Sequence, residues 1–363
     1  MSETEQAIVL EEVTKIFGEA TAVDGVSLSV AEGEFLAILG PSGCGKTTSL
    51  RMIAGFERPT IGRVFIHGRD VTNVPAHRRN IGMVFQNYAL FPHLNVFENI
   101  AFGLRERSVP NQEISERVEH ALDLVRLPGF EQRRPSQLSG GEQQRIALAR
   151  ALIVEPTVML MDEPLGALDR KLRQEMQLEL KELVRRLNLT SIFVTHDQDE
   201  ALAMADRVAV MSQGRLEQVD TPKAIYETPH TKFCASFLGL SNIFEGSLAE
   251  DAPGLTILTT LSGLRLTCPA FEATTGKGML MIRPEKVVLA THELNSEENC
   301  FPGVIVGIKY LGATIEYHIK LQSGERIVAQ QQQSAGNTIA YRSGGPMIVQ
   351  LPTESLHWLD EAP

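Results

Sequence analysis

The sequence predicts an α/β chain with a mostly parallel sheet at its core, an antiparallel β subdomain and a helical subdomain attached to that core, and a second, all-β domain towards the C-terminal end. Three observations carry this reading. The apolar run Phe35-Leu36-Ala37-Ile38-Leu39 leads into Gly40-Pro41-Ser42-Gly43-Cys44-Gly45-Lys46-Thr47-Thr48, which fits the phosphate-binding loop (P-loop) pattern G-x-x-x-x-G-K-[ST] and opens a helix. Apolar strands and amphipathic helices then alternate as far as residue 240, which implies a parallel sheet with its ligand at the C-terminal strand ends. Beyond residue 240 short alternating strands follow without a long helix, the pattern of a small sandwich or barrel.

Taken in order, Ala7-Ile8-Val9-Leu10 with Val13, Ile16 and Phe17 reads as an edge strand ending in an aromatic residue. Val23, Val26, Leu28 and Val30 form a second strand, and Ala31-Glu32-Gly33-Glu34 turns the chain into the strand that feeds the loop. Ser49 to Ala54 continues as a helix with Gly55 as its stop. Gly62 to Gly68 is a short strand closed by a turn, completing the antiparallel subdomain. Ile81 to Gln86 is a strand with a polar end, followed by an apolar, aromatic loop at residues 87–94. Residues 95–135 are helical in pattern until Arg133-Arg134-Pro135 breaks them. Ser139-x-x-Glu142 matches a capping box, so Ser139 is expected to cap the helix whose buried face carries Ile146, Ala149, Leu152 and Ile153. Thr157 to Met161 is a buried strand running into Asp162-Glu163-Pro164. Leu172, Met176, Leu180, Leu183 and Leu187 mark a long amphipathic helix, and Ser191 to Thr195 is a core strand ending at His196. In the last domain Ile315, Tyr317, Ile319 and Leu321 alternate with polar residues, which assigns Tyr317 to a core, and Ser262-Gly263 and Ser323-Gly324 mark hairpin turns.

Composition sets limits. The 363 residues are 43% hydrophobic and 22% charged, as expected of a globular protein with more than one domain. A net charge of -11 argues against broad, sequence-independent binding to nucleic acid or anionic lipid. No apolar run approaches the ~18–20 residues of a membrane span, and Met1-Ser2-Glu3-Thr4-Glu5-Gln6 is too polar for a secretory signal. Cys44, Cys234, Cys268 and Cys300 are scattered without a C-x-x-C pair, which points away from disulfides and zinc and towards a reducing compartment.

The chemistry-bearing residues follow the strand ends. In the loop, glycines let backbone N–H groups turn towards phosphate oxygens, Lys46 reaches the β- and γ-phosphates, and Thr47 is placed to hold Mg²⁺. Asp162 ends a buried strand where a carboxylate can hold Mg²⁺, and Glu163 beside it can polarise a water. His196 ends the next strand and can donate to a γ-phosphate. By themselves, His196 reads more readily as a cap or a surface residue, Gln86 as a strand terminator and Phe17 as a core residue.

Leu138-Ser139-Gly140-Gly141-Glu142-Gln143-Gln144-Arg145 resembles the signature of the ATP-binding-cassette (ABC) ATPases. The remaining family motifs follow in order: Phe17, the loop at 40–48, Gln86, Asp162-Glu163, Leu165-Gly166-Ala167-Leu168-Asp169 and His196, with Gly166 standing where Ser is commoner. The resemblance covers residues 7–240 and implies an α/β P-loop ATPase cassette that binds ATP and Mg²⁺. It implies that Phe17 stacks on adenine, and that Gly40, Pro41, Ser42, Gly43, Cys44, Gly45, Lys46, Thr47 and Thr48 cradle the phosphates. Thr47, Gln86 and Asp162 would hold Mg²⁺, Glu163 would be the catalytic base, and His196 the γ-phosphate switch. Ser139, Gly140, Gly141 and Asp169 would complete the site of a second copy in a head-to-tail homodimer.

Ile282-Arg283-Pro284-Glu285-Lys286-Val287 is similar to the motif of the OB-like regulatory domain in many solute-import ATPases, with Ser241 to Gly246 as its first strand. The domains expected are therefore 1–240 and 241–363. The expected partners are transmembrane permease subunits, docking against residues 87–96, and indirectly a solute-binding protein, with the chain peripheral on the cytoplasmic face of the cell membrane. The stretches 91–104 and 171–177 resemble spermidine/putrescine importers, while ferric-iron, sugar, sulfate and phosphonate importers share much of them. A soluble ABC ATPase acting on ribosomes or DNA, or an oligonucleotide-binding C-terminal module, are the other readings; no nucleic-acid partner is expected.

Overall fold

A six-stranded sheet carries the phosphate loop. The computed structural model describes residues 5–166, 168–252, 255–270, 276–291, 298–333 and 341–360, so Ala167 and the Met1-Ser2-Glu3-Thr4 end lie outside the description. In chain order the elements run β1 (Gln6–Phe17), β2 (Ala20–Ala31), β3 (Phe35–Leu39), α1 (Lys46–Ala54), β4 (Ile61–Ile66), β5 (Arg69–Asp70), β6 (Ile81–Val84), α2 (Val96–Glu106) and α3 (Asn111–Leu124). They continue with α4 (Gly140–Leu152), β7 (Val158–Asp162), α5 (Arg170–Arg186), β8 (Thr190–Thr195), α6 (Gln198–Met204), β9 (Arg207–Ser212) and β10 (Arg215–Asp220). The core sheet has the order β10-β9-β3-β8-β7-β6. All its pairings are parallel except that of β10 with β9.

Strands covered by helices on both faces need apolar side chains on both, and β3, β7 and β8 are buried at every position. The antiparallel sheet has the order β2-β1-β4-β5. Here β1 departs from its expected place at an edge, because it pairs with β2 on one side and β4 on the other. Burial of Ala7, Ile8, Leu10 and Val13 matches that interior position.

Helix α1 starts at Lys46 and ends at Gly55, whose φ of 81° supplies the left-handed cap. Arg79 then closes the end. Its guanidinium donates to Met52 O (2.7 Å), Ile53 O (2.8 Å) and Val74 O (2.7 Å) and is 4% exposed. A cation on the last carbonyls of a helix is favoured by the helix dipole, and this offsets the burial that pushes the Arg79 pKa down. The helical stretch expected over 95–135 is two helices. Asn95 and Glu98 form a capping box on α2, and Pro110, which lacks the N–H to continue a helix, precedes α3.

The chain divides into two compact units, Met1–Pro222 and Lys223–Pro363. The second contains α7 (Pro222–Glu227), α8 (Lys232–Phe237), β11 (Asn242–Ala252), β12 (Leu255–Thr260), β13 (Arg265–Pro269), β14 (Gly276–Ile282), β15 (Val288–Ala290), β16 (Cys300–Tyr310), β17 (Thr314–Leu321), β18 (Arg326–Gln332), β19 (Pro346–Gln350) and β20 (His357–Leu359). Two antiparallel sheets, β13-β12-β11-β14-β20 and β15-β19-β16-β17-β18, bury one shared core. Phe244, Leu258, Leu266 and Leu280 enter it from one sheet, and Ile305, Tyr317, Ile319 and Val349 from the other. Tyr317 is 1% exposed and meets Tyr341 edge-on at 5.4 Å, a core residue as its alternation implies.

The unit begins before residue 240 because Arg283 ties α7 and α8 to the β-structure. Its guanidinium donates to Tyr226 O, Ala235 O, Leu240 O and Ser241 Oγ at 2.7–3.3 Å and lies 4.2 Å from the Tyr226 ring centroid. Replacing Arg283 with Met strands these buried acceptors, at a cost of about 3 kcal/mol. The variant should unfold at lower temperature and be cut by protease first within residues 223–241; wild-type melting and cleavage would contradict this assignment.

Candidate active site

Register decides where the chemistry gathers. Leu39 pairs with Thr195, Val194 with Asp162, and Met161 with Val84, so four adjacent parallel strands end at one level. Each delivers one predicted element: the phosphate loop after β3, His196 after β8, Asp162 and Glu163 at the end of β7, and Gln86 after β6.

Within the loop, Gly40 and Gly45 are required by close approach. A Cβ on Gly40 would lie 2.3 Å from Met211 O, and one on Gly45 would lie 2.4 Å from Ala22 O, where φ is also 103°. Gly45 caps α1 without any side chain accepting from its first turn, which leaves those N–H groups aimed at the loop for an anion. Pro41 is half-buried, Ser42 and Gly43 are exposed, Cys44 is buried and Thr48 is half-buried. Lys46 is 6% exposed, and its ammonium donates to Gly40 O (2.7 Å) and Pro41 O (2.8 Å), so the positive charge sits in the concavity of the loop. Burial pushes the Cys44 thiol pKa up, against the nearby ammonium, and keeps it a neutral packing group.

Thr47 Oγ1 donates to Asp162 Oδ1 at 3.0 Å. Burial raises the Asp162 pKa, and Glu163 adds to the rise, while the Thr47 hydroxyl, Arg51 and Lys46 oppose it. A divalent cation would reverse that rise by favouring the carboxylate. The donors are hydroxyl and carboxylate oxygens, which suit a hard cation that takes its remaining ligands from phosphate and water. Among the described residues no group of three or more His, Cys, Asp or Glu side chains could hold a metal unaided.

Glu163 sits between two side chains. Gln86 Nε2 donates to its Oε2 at 2.8 Å, and His196 Nδ1 lies 3.0 Å from its Oε1. Its backbone is left-handed, with φ 45°, and its N–H donates to Val194 O. This strained turn aims the carboxylate across the strand ends. Gly166 has space for a side chain, since a Cβ there would meet Glu163 O only at 3.5 Å, so the family's commoner Ser would fit.

Other predicted residues stand apart from this group. Ser139 caps α4: its N–H and Oγ donate to Glu142 Oε2 at 2.7 and 2.8 Å. These bonds hold the Glu142 pKa down. Ser139 and Gly140 are exposed, whereas Gly141 is buried against Leu172. Among the described residues no hydrogen bond joins residues 139–141 to the loop of the same chain. Asp169 caps α5 by accepting from the Lys171 and Leu172 N–H groups. Phe17 is 46% exposed at the end of β1, with Lys15 Nζ 4.7 Å from its ring centroid, so it is a surface platform and not a core residue.

In the 87–96 segment Tyr88 is buried at 5% exposure, and Arg150 clamps the carbonyls of Tyr88 and Ala89. Tyr88 therefore does not face outwards, whereas Pro92 and His93 are exposed. Arg150 carries no sequence signal, because its acceptors lie 61 and 62 residues away.

Comparison with known proteins agrees with this geometry. The model of the ABC transporter family matches residues 23–166, and that of the TOBE domain matches residues 280–359. The spermidine/putrescine import ATP-binding protein PotA of Rubrobacter xylanophilus is 51% identical over 330 residues, covering 90% of this chain and 86% of the relative. The protein of the same name from Acidothermus cellulolyticus is 50% identical over 331 residues, with the same coverage. Among solved structures, a dimeric ATP-binding cassette in a post-hydrolysis state bound to ADP and phosphate is 33% identical, with a TM-score of 0.53 over 59% of this chain and 98% of that one. A dimeric bacterial ABC transporter cassette is 35% identical, with a TM-score of 0.54 over the same shares. Cassette and TOBE models match in sequence, and about half of all positions are identical to these relatives along most of both chains, so this chain belongs to the ABC transporter family and its first unit is an ATPase cassette.

Proposed function

We propose that this chain is the ATP-hydrolysing subunit that powers import of spermidine or putrescine through a membrane ABC transporter. The observation that carries the reading is a likeness to polyamine import ATP-binding proteins that runs through both units. By sequence the cassette takes residues 1–240 and the regulatory TOBE domain residues 241–363, while the compact units divide earlier, after Pro222, where α7 and α8 fold with the β-structure. Among the described residues no helix is long and apolar enough to cross a membrane; in this reading force passes to separate permease subunits. Binding to them would hold the chain at the cytoplasmic face of the cell membrane, and a solute-binding protein would deliver cargo on the other side.

Phe17 offers its exposed face to adenine. Residues 40–48 enclose the phosphates, and Lys46 exchanges its two loop carbonyls for phosphate oxygens. Thr47, Asp162 and Gln86 would hold Mg²⁺, which neutralises charge on the β- and γ-phosphates when bound. Glu163 takes the proton from the attacking water. Each of its carboxylate oxygens has one neighbour, Gln86 or His196, and keeps a second lone pair for the water. His196 is more than half exposed and free to swing to the γ-phosphate. Ser139, Gly140, Gly141 and Asp169 serve the nucleotide of a second copy in a homodimer. A helix N-terminus suits an anion, and among the described residues no hydrogen bond joins residues 139–141 to the phosphate loop of their own chain.

The test is reconstitution with permease and binding-protein partners in proteoliposomes. ATP-driven uptake of labelled spermidine or putrescine is expected. Uptake of ferric iron, a sugar, sulfate or phosphonate instead would overturn the substrate, and ATP hydrolysis without uptake of any of them would overturn the transport role.

A further inference from the structure

Arg173 lies on the first turns of α5, where its backbone N–H donates to Asp169 O at 2.9 Å; among the described residues its side chain makes no hydrogen bond or ion pair with a residue predicted to meet nucleotide. Its side chain nevertheless joins two segments that do. Nη2 donates to Leu168 O at 2.9 Å, next to Asp169. Nη1 donates to Asp197 Oδ2 at 3.1 Å, next to His196. Nε faces Glu200 Oε1 at 3.7 Å.

The far side of this contact is built around a buried carboxylate. Glu200 is 2% exposed, and Thr195 Oγ1 donates to its Oε2 at 2.6 Å. The same hydroxyl accepts from Asp197 N–H at 3.0 Å, and Asp197 caps α6 through the N–H groups of Asp199 and Glu200. Thr195 and Asp197 are thus both fixed, and His196 is the residue between them. Burial holds the Glu200 pKa up and Asp197 adds to the rise, while the Thr195 hydroxyl, Arg173 and His196 oppose it. A guanidinium with two carboxylates and one carbonyl is a rigid fork that Lys cannot reproduce.

We infer that Arg173 is a positioning residue: it locks the peptide carrying His196 to the 165–169 segment, so that the two shift together and His196 is held in reach of Glu163. The link lies within one chain. Its consequence for the dimer rests on the proposed function: if Asp169 faces a second copy, arrival of that copy moves His196 through Arg173.

The test uses the full chain with Arg173→Met, Arg173→Lys, Asp197→Asn and the double variant Arg173→Met/Asp197→Asn. Asn still caps α6, so Asp197→Asn removes the charged partner and keeps the helix start. Arg173→Met should lower kcat at least about tenfold, since small misplacements near a reacting group cost that much or more, while affinity for ATP stays at the wild-type level. Arg173→Lys should recover only part of the loss. The double variant should be no slower than the worse single one, as expected of coupled residues. The His196 ring cross-peaks in NMR spectra of the nucleotide-free protein should move in Arg173→Met. If Arg173→Met misfolds, Asp197→Asn decides alone, by kcat and the same cross-peaks. Wild-type kcat, additive losses, or a parallel loss of ATP affinity would overturn the inference. Unmoved His196 signals would do so even if dimerisation is normal. Altered signals in a chain that never dimerises with ATP would keep the inference and sink only the dimer reading.

Discussion

Glu163→Gln is expected to reduce ATP turnover by about 10²–10⁴-fold, the usual contribution of a general base, while ATP binding persists. Gln keeps the size of Glu but cannot take a proton at this position. The structure supplies the geometric case. The carboxylate is held from both sides by Gln86 and His196 on a strained, left-handed backbone. Asp162 beside it faces Thr47, with which it is assigned to Mg²⁺, so Glu163 is the acid left for the water. Steady-state hydrolysis and nucleotide binding measure the two halves of the claim. Sedimentation in ATP should show a long-lived dimer, because the ATP that holds it closed is no longer consumed. Hydrolysis at the wild-type rate would remove Glu163 from its assigned role.

Gly45→Ala should be nearly as damaging, through shape and not chemistry. The backbone there has φ 103°, a region that costs a residue with a Cβ about 1–3 kcal/mol. The added Cβ would also stand 2.4 Å from Ala22 O, a backbone atom that cannot rotate aside. The loop must open, and the N–H groups at the start of α1 lose their aim. Affinity for ATP should fall at least about tenfold, the equivalent of 1.4 kcal/mol. Gly43→Ala provides the control. Gly43 also has a positive φ, 79°, but nothing lies within 4 Å of its would-be Cβ, so only the backbone strain applies. Equal losses in the two variants would show that close packing on Ala22 does not shape the loop.

The local features of this chain were legible because their causes are local. A strand-loop-helix phosphate site, a capping box at Ser139 and Glu142, and alternation along Ile315 to Leu321 each depend on neighbours a few residues apart. Long-range features were misread or missed. The β1 strand looked like an edge because its pairing with β4 is not visible in its own residues. The aromatic loop at 87–94 reads as an outward docking surface because the Arg150 clamp on the Tyr88 carbonyl comes from α4, 62 residues away. Phe17 by itself looked like core, and only the end of β1 leaves it at the surface.

The sequence by itself determined which residues can do chemistry: the loop glycines and Lys46, the acids Asp162 and Glu163, and the cap at Ser139. Spacing along one strand or helix is enough for those, since backbone geometry repeats at 2 or 3.6 residues. Tertiary structure alone decided that residues 40–48, 86, 162–163 and 196 meet, because parallel pairing in the order β3-β8-β7-β6 sets four distant strand ends side by side. It also decided the work of three arginines. Arg79, Arg173 and Arg283 each bind backbone carbonyls of other segments, and a carbonyl has no side-chain identity by which a sequence could announce it.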